Sequence, residues 1–131
     1  MTNEQWKAFS TFRDSFRERC ETWEREAGGP SGWLAGLQRE AAERDGTPAY
    51  PVETPIVYSR ALDDITPGDS IALIVVGDNP GKDEQRAQNR RYLVGQAGKL
   101  GEGFFRRNPG LGIDFRKNVL ILNKTPIHTA K

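Results

Sequence analysis

One cysteine and one histidine are all that the 131 residues contain of either type. Cys20 therefore has no internal disulfide partner. Together with His128 it falls short of the four ligands of a structural zinc site or the four thiolates of an iron–sulfur cluster. No intrinsic metal is expected. The chain also lacks any apolar run near the roughly 18 residues that a membrane span needs. Its N-terminus is charged and amphipathic, without the apolar core of a cleavable leader. A cytoplasmic protein with no membrane partner is the expectation. A dominant sign of charge is missing too, since the net charge is only +1, but the balance is uneven along the chain. Residues 1–81 carry 8 Lys/Arg against 14 Asp/Glu, and residues 82–131 carry 11 against 4. A basic face that contacts phosphate would belong to the second part; on charge alone an ordinary solvated surface explains the bias equally well.

What is present has the make-up of one globular domain, with 36% apolar and 28% charged residues. From Thr2 to Arg25 the residues Trp6, Phe9, Phe12, Phe16, Cys20 and Trp23 recur at spacings of three and four, which predicts a long helix with one buried stripe. Thr2 and Gln5 can close a capping box at its start, and Gly28-Gly29-Pro30 stops it. A shorter helix is expected from Ser31 to about Gly46, with Trp33, Leu34, Leu37 and Ala41 on its apolar side. Residues 1–46 thus form a helical hairpin expected to pack on residues 47–131. Prolines at 48, 51, 55 and 67 break up the stretch from Thr47 to Ser70, leaving Ile56-Val57-Tyr58-Ser59 as a short edge strand in a wrapping segment. Ile71 to Val76 reads as a strand covered on both faces, as in parallel sheets. A helix over Ala97–Arg107 and a second buried strand over Asn118–Asn123 complete a βαβ unit. The fold class is α/β with a parallel sheet.

Both strands run directly into polar sequence, the first into Gly77-Asp78-Asn79-Pro80-Gly81 and the second into Asn123-Lys124-Thr125-Pro126-Ile127-His128. In a parallel pair these ends lie side by side, where open α/β sheets place their ligands. The first turn is no Walker loop, because three residues separate Gly77 from Gly81 where four are needed, and Asp83 stands at the hydroxyl position. Nor is it a dinucleotide fingerprint, because Pro80 interrupts it and the second strand ends in Asn123 rather than an acid.

Taken together, Gly77-Asp78-Asn79-Pro80-Gly81, Val94-Gly95-Gln96-Ala97-Gly98 and a later strand ending in Asn123-Lys124 resemble the uracil-DNA glycosylase superfamily. The resemblance covers residues 71–128 and is closest to family 4-like and mismatch-specific-like members. It implies a three-layer α/β/α fold and hydrolysis of the N-glycosidic bond of uracil or a related damaged base in DNA. It also implies base flipping and no cofactor. The transition state is a cationic sugar leaving an anionic base, so a carboxylate near the sugar is useful. The resemblance assigns that role to Asp78 and, as second choice, Asn79; an Asx turn ahead of Pro80 is the alternative. Asn123 is the base reader, since one amide meets both the O4 acceptor and the N3 donor of uracil. A strand-ending turn amide is the alternative for it. Gly77, Pro80 and Gly81 would line the base. Tyr92 would stack on it, with ordinary loop packing as the alternative, because this chain has Tyr92-Leu93 where family 4 has Pro-Phe. His128 would approach on the loop after the second strand or else sit exposed. Arg90, Arg91, Lys99 and Lys124 are candidate phosphate contacts, or solvated charges.

The family's His-Pro-Ser-like motif and its iron–sulfur cysteines are not among these residues. The chain is therefore expected to be the N-terminal part of such a domain, truncated and of doubtful activity alone, with a sheet edge free to associate. A non-catalytic nucleic-acid or nucleotide-binding module, or an inactive fragment, is the competing expectation.

Overall fold

The N-terminal helix α1 (Asn3–Ala27) begins where its capping box places it: Thr2 Oγ1 accepts from Gln5 N–H at 3.1 Å, and Gln5 Oε1 accepts from Thr2 N–H at 2.9 Å. Gly28 ends it in the left-handed region at φ 79°, with its N–H on the Arg25 carbonyl. These coordinates come from a computed structural model that describes residues 1–130. After a short 3-10 turn the chain re-enters helix as α2 (Trp33–Arg44). None of the helices among the described residues is long and apolar enough to cross a membrane.

The α1 stripe delivers Phe9, Phe16 and Cys20 to a core built with Ile56, Tyr58 and Leu62, while Phe12 and Trp23 stay largely exposed. Helix α2 turns differently from the expectation. It buries Ala35, Gln38 and Ala42 and leaves Trp33, Leu37 and Ala41 in solvent. The cause is the proline-punctuated segment beneath it. Prolines carry no N–H, so carbonyls there depend on donors from elsewhere. Gln38 Nε2 donates to the carbonyls of Pro55 (3.0 Å) and His128 (2.9 Å). Gln85, fully buried, does the same from the other side: its amide nitrogen donates to Pro51 O at 2.9 Å, and its oxygen accepts from the Glu53 and Thr54 N–H groups.

The segment read as peripheral wrapping is the spine of the molecule, with every residue from 54 to 59 buried. Its expected edge strand is reduced to one antiparallel bridge, Ile56 with Ile127. The flanking bonds Val57 N–H to Pro126 O (2.8 Å) and His128 N–H to Pro55 O (3.0 Å) tie it to the chain after the last strand.

Strands β1 (Leu73–Gly77) and β2 (Val119–Asn123), joined through α3 (Gln96–Arg107), form a two-stranded parallel sheet in register from Leu73 opposite Val119 to Gly77 opposite Asn123. The chain is thus of the mixed α/β class. Burial of β1 on both faces, expected from its apolar run, does not occur: Ile74 is 63% and Val76 57% exposed. Side chains alternate across a sheet, so Ile74 and Val76 share a face with Leu120 and Leu122. Phe9, Phe16 and their neighbours pack near Leu120 and Leu122 but do not extend over β1. A cleft of about 550 Å³ lies along that face, lined by Phe9, Phe12, Ile65, Ile74, Leu120 and Leu122.

Candidate functional site

The parallel register carries the two strand ends to one place. Gly77 lies opposite Asn123, and the ladder runs on beyond the strands, with Lys124 N–H on Gly77 O (3.0 Å) and Thr125 N–H on Asp78 O (3.4 Å). Any larger residue at Gly77 would displace the Asn123 amide. A Cβ there would stand 2.5 Å from Asn123 Oδ1 and 3.6 Å from a Leu93 methyl. Both the Nδ2 and the Oδ1 of Asn123 are buried and have no hydrogen-bond partner. Leaving a buried polar group unpaired costs about 1–3 kcal/mol, so this amide is held at the sheet tip at a loss to stability.

Leu93 closes the space above Gly77 from a left-handed backbone conformation, φ 54°. Its carbonyl accepts from Arg116 Nη2 at 2.6 Å. The first turn of α3 presses against the same carbonyl, where a Cβ on Gly98 would collide at 1.5 Å. The backbone under Leu93 is therefore fixed, and its side chain lies over Gly77.

On the other strand tip, Asp78 is exposed and its Oδ1 meets Lys124 Nζ at 2.5 Å. That contact holds the Lys124 ammonium above its ordinary pKa, through the hydrogen bond first and the charge second. Asn79 Nδ2 donates to Thr129 Oγ1 at 2.5 Å. The buried Pro80 offers its carbonyl to Thr129 N–H (3.1 Å) and to the His128 ring at Nδ1 (2.8 Å). Gly81 N–H donates to Glu84 Oε2 at 3.0 Å. Glu84 is buried, and desolvation raises its carboxyl pKa against the opposing pull of the Gly81, Leu93 and Val94 N–H groups. One carboxylate thus ties the Gly77–Gly81 turn to the Leu93–Val94 turn. Sequence reasoning missed it, although an acid three residues after a free Gly N–H is the spacing of a capping box.

The remaining candidates separate. Tyr92 is 2% exposed; its hydroxyl donates to Val57 O at 2.6 Å and its N–H to Ser59 Oγ, the packing role left open for it by the sequence. His128 is neither exposed nor in the crevice. It is fully buried, with Nδ1 on the Pro80 carbonyl and Nε2 2.7 Å from the Tyr50 hydroxyl. A carbonyl can only accept, so Nδ1 carries the proton and Nε2 accepts from Tyr50. Burial lowers the pKa of this neutral imidazole. Arg90 turns toward α1, where it lines a cavity with Cys20 and Glu24. Arg91 pairs with Asp64 at 2.8 Å, and Lys99 is exposed on α3. Gly77, Asp78, Asn123 and Lys124 are the ones brought together.

No protein-family model matches the chain, and no curated protein and no solved structure matches it.

Proposed function

We propose that the strand tips form a nucleobase pocket of the uracil-DNA glycosylase kind, within a domain of the three-layer α/β/α type, acting on uracil or a related damaged base flipped out of DNA. What supports this reading above all is the Asn123 amide, whose donor and acceptor are both buried and unpartnered beside Gly77. A uracil edge supplies the acceptor and the donor that this amide lacks, so bound base would return the free energy forfeited in the free protein. Asp78, at the exposed end of the neighbouring strand, is the carboxylate that would stabilise a cationic sugar. Lys124, ion-paired with that carboxylate, offers an ammonium to the adjoining phosphate.

A single-turnover assay on a uracil-containing oligonucleotide tests the proposal. Asn123→Ala and Asp78→Ala are each expected to reduce base release by about 10²–10³-fold, and release that survives both changes removes the assigned roles.

One observation favours a second reading, a pocket that binds without hydrolysing: the Asp78 carboxylate is neutralised by Lys124 at 2.5 Å. Uracil-dependent binding with no base release, measured on the same oligonucleotide, selects it.

A further inference from the structure

The helical hairpin of residues 1–46 lies outside the glycosylase-like stretch, yet it reaches the strand tips. A groove of about 410 Å³, within the roughly 300–1,000 Å³ typical of small-ligand clefts, runs between the hairpin and the segment following β2. Trp23, Trp33 and Leu34 line one side, and Lys124, Thr125 and Ile127 the other. Lys124 and Thr125 are the two residues whose N–H groups bond Gly77 and Asp78, so the groove borders the strand tips.

Trp33 is 63% exposed, an uncommon position for the largest apolar side chain. Its indole N–H is already directed at the Glu26 carbonyl at 3.3 Å. The ring therefore offers a fixed aromatic surface rather than a hydrogen-bond donor. Glu26 also lines the hairpin side, so a phosphate is repelled from the interior while Lys124 attracts one at the opposite rim. Aromatic walls with a cation at one edge and an anion at the other suit an uncharged planar base whose backbone stays outside.

We propose that this groove is a stacking site for an unpaired base neighbouring the target nucleotide, with Trp33 as its platform and Trp23 as its wall. The inference rests on the DNA reading of the strand tips and adds a preference for single-stranded or locally opened substrate. Base stacking on aromatic side chains tolerates sequence and survives salt better than phosphate contact.

The test is the affinity of a labelled, uracil-free single-stranded oligonucleotide, read by fluorescence anisotropy at moderate and high salt. Trp33→Ala is expected to weaken binding about tenfold at both salt concentrations, as for loss of one stacked base. Trp33→Phe should restore most of it. A strand of abasic sites should bind the parent protein as weakly as the intact strand binds Trp33→Ala. Because Trp33 is exposed, the variant should keep the parental thermal midpoint, which is measured alongside. Equal affinity for the intact strand in the parent and in Trp33→Ala overturns the proposal. So does a parental sedimentation coefficient that falls from dimer to monomer in that variant, which would give the groove to a second protein chain. Since this strand contains no uracil, failure here leaves the pocket reading standing. Conversely, unchanged uracil preference in an Asn123 variant would remove the pocket and leave the groove.

Discussion

Asn123 is where stability and function pull apart. Replacing it by Leu removes two unpaired buried polar atoms while keeping a side chain of related shape. The expected result is an unchanged or raised thermal midpoint together with loss of uracil-dependent binding, read by calorimetry and by anisotropy on uracil-containing strands. An ordinary structural amide would give the opposite, a lower midpoint. His128 makes a second residue-scale prediction. Its pKa is lowered by burial, so the folded protein binds fewer protons than the unfolded chain once the pH falls below the ordinary histidine value of about 6.5. Stability from neutral His128 is present above that pH and is lost as the pH falls toward the depressed folded value. Glu84, whose pKa is raised by burial, works in the opposite sense nearer the carboxylate range. Denaturant titrations from pH 7 to pH 5 should show a decline that is absent in His128→Gln.

At the scale of elements, α2 docks through the Gln38 amide as well as through Ala35, Ala42 and Leu34. Gln38→Leu strands the His128 carbonyl, leaves Pro55 O with the His128 N–H alone, and should cost about 1–3 kcal/mol in chemical denaturation. Leu37→Ala, on the face that sequence periodicity marks as buried, should change stability by no more than about 0.5 kcal/mol, because that face is in water. The contrast is diagnostic: an apolar pattern measures what a helix can bury, and the neighbour decides what it does bury. Here the neighbour is a proline-rich strap whose carbonyls need donors.

For the molecule as a whole, β1 is the feature out of balance. It is an apolar strand with one hydrogen-bonded neighbour, and Ile74 and Val76 face solvent. Such an edge pairs with another chain unless a charge or proline protects it, and Leu73 to Gly77 contains neither. Concentration-dependent association is therefore expected in sedimentation velocity. Ile74→Lys should suppress it without unfolding the protein, since no buried contact is lost. A monomer at all concentrations in the parent chain would refute this.

Local chemistry was enough for what depends on a few neighbouring residues. The α1 capping box, the Gly28 stop, the parallel strand–helix–strand order and the meeting of Gly77 with Asn123 all follow from short-range pattern, because periodicity and caps act within a turn or two of chain. Only the tertiary structure decided which way α2 faces, that residues 54–59 are the core rather than a wrapping, that β1 stays uncovered, and that Tyr92 and His128 serve packing. Those outcomes depend on groups supplied from distant parts of the chain, such as the Gln38 bonds to Pro55 and His128, 17 and 90 positions away. A hydrophobicity pattern records what a residue prefers, and burial is fixed by which partner reaches it with the missing donor or the matching surface.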